Sequence, residues 1–165
     1  MHKPFVKLLI LVTLFGTGFS CTNDDAQSKF EAQAYSEPAN YTETSFQGDI
    51  VRNDTDDWRI SPLYLGLASV QPIFPNPVQF GTNVTLEIDI KGAPASSSIE
   101  VGYLNQSNQW IFLQQQDLQN DFELITFLIN TRQFGSSLSQ AQGLKRMLVF
   151  DGNQRLISYG DILIQ

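Results

Sequence analysis

The chain has 165 residues, enough for one domain with an extension, and its 10 basic against 17 acidic side chains give a formal charge of −7. Such a balance makes nucleic acid and anionic lipid headgroups poor partners, because an acidic surface releases no counterions from either. A single cysteine excludes a disulfide framework.

Residues 1 to 7 carry Lys3 and Lys7, an apolar run follows from Leu8 to Phe15, and Gly16, Thr17 and Gly18 come next. That is the layout of a secretory signal peptide, too short to span a bilayer. In "LLILVTLFGTGFSCTNDD" the one cysteine, Cys21, stands where the apolar run gives way to acid and amide, with the small residues Gly18 and Ser20 before it. On these residues the front end resembles a bacterial lipoprotein precursor. It departs from the usual pattern at Gly18, where Leu is common, and at the bulky Phe19. The resemblance implies removal of residues 1–20 and a diacylglycerol thioether on Cys21. The alternative is an ordinary secreted protein with a lone cysteine near its mature N-terminus. Two or three acyl chains hold firmly, since each buried methylene contributes about 0.8 kcal/mol. The mature protein is then expected to be anchored to a membrane through Cys21 without crossing it. Thr22 rather than Asp after the cysteine argues against inner-membrane retention, so an outer-membrane location, periplasmic or surface-facing, is expected.

Removing Lys3 and Lys7 with the leader takes the charge from −7 to −9, and nine of the acids lie within residues 21–57 against Lys29 and Arg52. This stretch has few aliphatic residues and no sustained period of two or 3.6. It predicts an acidic flexible tether, because such a composition buries too little apolar surface to offset the entropy of ordering. A coil of about 36 residues reaches roughly 30 to 40 Å on average. Asp54, Asp56 and Asp57 in "NDTDDW" offer the oxygen ligands that Ca²⁺ takes, but the glycine and closing Glu of an EF-hand loop are missing. A solvated linker end is the expectation, with no metal.

Residues 58–165 predict the folded domain. "LYLGLASV" supplies a first strand, and Pro72, Pro75 and Pro77 suit a crossover after it. "NVTLEIDI" alternates strictly, with Val84, Leu86, Ile88 and Ile90 on one face, as a half-buried antiparallel strand does. "SIEVGYL" repeats the pattern. "QWIFLQQ" is apolar on both faces and reads as central or covered; "FELITFLI" and "RMLVF" follow. "RQFGSSLSQAQGLK" between them holds a short helical turn or a loop. Asp151-Gly152-Asn153-Gln154 predicts a tight reversal into "RLISYGDILI", where Gly160 marks a bulge or a break. About seven short strands without an amphipathic helix predict an all-β chain, a single immunoglobulin/fibronectin type III-like β-sandwich.

"PIFPNPVQFGTNVTLEIDI" together with the terminal "RMLVFDGNQRLISYGDILIQ" resembles the Pro-Asn-Pro-led β-sandwich modules of exported Bacteroidota-type proteins, over residues of about 72–165. The resemblance implies a sandwich closed by the last strand and an envelope setting. No cargo domain precedes it, and a lipid anchor makes a sorting signal redundant, so the sorting function is not carried over.

Loss of His2 with the leader and lipidation of Cys21 leave neither histidine nor free thiol. Histidine-based triads, thiol nucleophiles, zinc sites and Cys- or His-ligated copper are thereby excluded. Trp58, Tyr64 and Trp110 are the candidate binding residues, for sugar stacking or protein docking. Trp110 also suits the large buried aromatic of such folds. The expected function is that of a membrane-anchored, non-enzymatic lipoprotein without cofactor, serving as an interaction or assembly module for another envelope protein. The alternatives are a cell-surface glycan-binding module and, third, a small carboxylate-dependent hydrolase.

Overall fold

The computed structural model describes residues 22–92 and 97–165; residues 1–20, expected to be a signal peptide, and Cys21, expected to carry the anchor, lie outside the described residues. In chain order the elements are α1 (Thr22–Ala34), β1 (Glu43–Thr44), β2 (Ile50–Arg52), β3 (Arg59–Ile60), a 3₁₀ turn (Pro62–Tyr64), β4 (Ala68–Val70), β5 (Asn83–Lys91) and β6 (Ser98–Leu104). Then come β7 (Trp110–Asp117), β8 (Phe122–Asn130), a 3₁₀ turn (Thr131–Phe134), α2 (Leu138–Ala141), β9 (Gly143–Asp151) and β10 (Leu156–Ile164).

The strands form two antiparallel sheets, β3-β10-β9-β6-β7 and β4-β5-β8, with β1 and β2 as a separate ribbon. Strands β4 to β10 correspond to the seven expected. The chain changes sheet between β3 and β4, β5 and β6, β7 and β8, and β8 and β9, which is the Greek-key sandwich of immunoglobulin-like type. The period of two explains the core. Val84, Leu86, Ile88 and Ile90 of β5 and Ile125, Phe127 and Ile129 of β8 face Ile99 and Val101 of β6, Met147 and Val149 of β9, and Ile162 and Ile164 of β10.

Three details depart from expectation. "LYLGLASV" yields a 3₁₀ turn and only three residues of strand, with Leu63 and Leu65 exposed. β7 is an edge strand, neither central nor covered: alternation packs Ile111 and Leu113 on the core and turns Phe112 outward, with a bulge opposite Val101 and Gly102. Gly160 does not break β10. A side chain there would collide with the Trp58 indole, which lies against its backbone.

The largest difference concerns residues 22–57, which are packed rather than a free tether. Gln27, Phe30 and Ala34 recur at steps of three and four and form the buried stripe of α1. Phe30 and Ala34 cover Leu148, Phe150, Leu156 and Tyr159 on the outer face of the five-stranded sheet. Polar bonds do the rest. Arg146 Nη1 donates to the carbonyls of Gln33 (2.8 Å) and Ala34 (3.2 Å), placing a cation at the helix C-terminus. Asn76, from the Pro-Asn-Pro stretch, donates through Nδ2 to the carbonyls of Thr42 and Asp161, both at 2.9 Å, and accepts from Leu163 N at 2.9 Å. Residues 78–80 then run beside the end of β10, with Val78 N donating to Leu163 O at 2.9 Å and Phe80 N to Gln165 O at 2.8 Å.

Candidate functional site

The three aromatic candidates do not form a surface platform. Trp58 is buried in the main core, held at φ 57° by the bond from its N–H to Tyr159 O at 2.7 Å. Tyr64 is buried too, and its hydroxyl donates to Asp151 Oδ2 at 2.5 Å. Burial alone pushes the Asp151 carboxyl up. The bonds from Tyr64 and from the backbone N–H groups of Arg155 and Asn153 outweigh it and hold that carboxyl below its ordinary range. Trp110 is half-buried, its ring edge-on to Phe150 at 4.9 Å beside the patch that α1 covers. Burial therefore assigns Trp58 and Tyr64 to packing, which the sequence left open.

The exposed apolar surface lies elsewhere, on β8, the outer strand of the three-stranded sheet. In β5, Thr85 exchanges backbone bonds with Phe74 at 2.9 and 2.7 Å, Glu87 O accepts from Gln71 N at 2.9 Å, and Lys91 N donates to Leu67 O at 2.8 Å. These residues face away from β8. Their partners in register, Leu128, Thr126 and Phe122, with Leu124 opposite Asp89, therefore turn their own N–H and C=O groups to the open edge. Gln114 of β7 reaches across and donates to Leu128 O at 2.9 Å. The same residues carry the outward side chains: Phe122 is 73% exposed, Leu124 60% and Leu128 58%. Folded proteins ordinarily blunt such an edge with Lys, Pro or a bulge. Here the edge-facing positions are Phe, Leu, Thr and Leu.

A buried polar cluster joins the N-terminal segment to the sandwich. Asp57 accepts Thr42 N at 2.6 Å on one oxygen and Asp161 N at 3.1 Å on the other. Asp161 in turn holds Arg146 through both oxygens, with Nη2 at 3.0 Å. Burial first, then the neighbouring Asp161, pushes the Asp57 carboxyl up to about 7. Burial likewise raises Asp161 against the pull of Arg146. Each oxygen of this pair has a partner within the fold. Between about pH 4, where the unfolded acid titrates, and pH 7, the folded state keeps a proton that the unfolded chain has lost. Stability should thus fall with rising pH across that window, by up to about 1.4 kcal/mol per pH unit for Asp57. Thermal melts of Asp57→Asn from pH 4 to 7 should show this slope flattened; an unaltered slope would contradict the assignment.

No protein-family model and no curated protein matches the chain. Five solved chains match. One, from "Structural basis of T cell specificity and activation by the bacterial superantigen toxic shock syndrome toxin-1", is similar over 59% of this chain and 98% of its own, at 11% identity and a TM-score of 0.35. A likeness that distant says nothing of function.

Proposed function

We propose that the protein is a lipid-anchored, non-enzymatic lipoprotein of the cell envelope that acts as an interaction module, taking up an extended segment of a partner protein along β8. One observation carries the docking: open backbone groups and exposed uncharged side chains fall on the same residues, Phe122, Leu124 and Thr126. Strand addition uses both, main-chain bonds for affinity and alternate side chains for specificity. The envelope setting rests on the signal peptide and Cys21. Because α1 begins one residue after Cys21 and packs on the sandwich, the anchor holds the folded unit at the membrane surface rather than at the end of a long coil. A glycan-binding reading loses its platform with the burial of Trp58 and Tyr64.

Two experiments address the two halves. Cys21→Ala should release the protein from membranes or leave the precursor uncleaved, and a cleaved variant that stays membrane-bound would refute the anchor. A photo-crosslinking side chain at Leu124 should give a discrete adduct with one envelope protein, and the comparably exposed Val51 on β2 should not. Identical adducts from both positions would refute the docking edge.

A further inference from the structure

β9 presents Met147 and Val149 to the space between the sheets, and the same alternation turns Lys145 inward two residues earlier. Lys145 is only 8% exposed. Among the described residues its ammonium has neither a carboxylate at ion-pair distance nor a hydrogen-bond acceptor. Its aliphatic stem is covered while its ammonium keeps access to solvent, and the partial burial pushes this amine's pKa down.

The side chain lines a cleft of about 360 Å³ with Tyr103, Asn105, Gln106, Phe134 and Gln140 among its walls, and no acidic residue borders it. The floor is aromatic, with the Tyr103 and Phe134 rings tilted against each other at 4.8 Å. The rim is rich in amides. Gln140 Oε1 accepts from both Ser136 N (3.0 Å) and Ser136 Oγ (2.8 Å), which fixes its orientation and leaves its NH₂ group as a donor without a partner among the described residues. The Tyr103 hydroxyl donates to Phe134 O at 3.3 Å, so its oxygen remains an acceptor.

We propose that this cleft binds a small acidic sugar, its carboxylate seated on the Lys145 ammonium and its hydroxyls on the side-chain amides of Gln106 and Gln140. An oxyanion supplies the missing counter-charge, and amide donors beside an aromatic wall suit a hydroxylated ring. The volume lies at the small end of ligand sites, enough for one or two rings. The cleft is built from β6, β9 and the residues around α2, apart from the β8 edge, so the two sites stand or fall separately.

The test is an NMR titration of the full chain in detergent with glucuronate, glucose or inorganic phosphate, following the Tyr103, Phe134 and Lys145 resonances. Glucuronate should give saturable shifts. Glucose, and glucuronate with Lys145→Met, should bind about 10- to 100-fold more weakly, as expected for loss of one charge-assisted bond. Lys145→Met should fold, since it removes a charge that no partner stabilises. Gln140→Ala, at an exposed position, provides a second variant that should weaken binding several-fold. Absence of shifts with glucuronate, or equal binding by both variants and the parent, would overturn the site. Phosphate binding as tightly as glucuronate would overturn the sugar assignment.

Discussion

A chain lacking Asp161–Gln165 should not fold. The deletion removes Ile162 and Ile164, both fully buried between the sheets, each contributing about 1.5 to 3 kcal/mol. It leaves Val78 and Phe80 without their partners on Leu163 and Gln165, takes the acceptor for Leu163 N on Asn76 out of use, and strands Arg146 without Asp161. β9 becomes a partly open edge along residues 143–146. Domains of this size are commonly stable by only about 5 to 15 kcal/mol, and these losses together reach that range. Far-UV circular dichroism should show no cooperative melt for the truncated protein. A cooperative transition within a few degrees of the intact protein would show that the five residues are a dispensable tail.

Arg146→Met should destabilise the protein by about 3 to 5 kcal/mol, the usual cost of leaving one member of a buried ion pair without the other. The guanidinium is bound on two sides at once, by both oxygens of Asp161 and by the carbonyls that end α1. Its loss leaves Asp161 buried beside Asp57, and frees the helix. Urea unfolding should record the lost stability, and hydrogen exchange should quicken at the last turn of α1. The double change Arg146→Met/Asp161→Leu should recover much of the loss, since a well-packed apolar pair is often as stable as a buried ionic one. A single-variant cost below about 1 kcal/mol would show that the pair is solvated and structurally idle.

The sandwich was legible because one-sided burial writes itself as alternation. Val84, Leu86, Ile88 and Ile90 announce β5, and Ile99, Val101 and Tyr103 announce β6. β7 misled because Trp110, Ile111, Phe112 and Leu113 are all apolar, so their composition hides the ordinary alternation that sends Ile111 and Leu113 to the core and Trp110 and Phe112 outward. The N-terminal segment misled for another reason. α1 carries one large apolar side chain, Phe30, and is held by Arg146, while Thr42 is held by Asp57 and Asn76; these partners are 15 to 113 residues away in the chain. Composition sees the shortage of aliphatic residues and is blind to such bonds. The docking edge was half visible: Phe122, Leu124 and Leu128 show as the wrong-face residues of "FELITFLI", but their openness depends on β8 being the last strand of its sheet. Lys145 gave a signal of its own, a lysine in phase with Met147 and Val149.

The docking edge is most directly tested by Thr126→Pro. Thr126 turns its N–H to the open side of β8, opposite Glu87, so proline there removes a donor from the edge without removing a bond to β5. Leu124→Lys, placed on the same face, charges the stripe while leaving the core residues Ile125 and Phe127 in place. Co-purification from detergent-solubilised membranes, with the partner identified by its crosslink to position 124, measures the outcome. Both variants should melt within a few degrees of the parent and lose the partner. Retention of that partner at parental levels by both folded variants would contradict docking along β8.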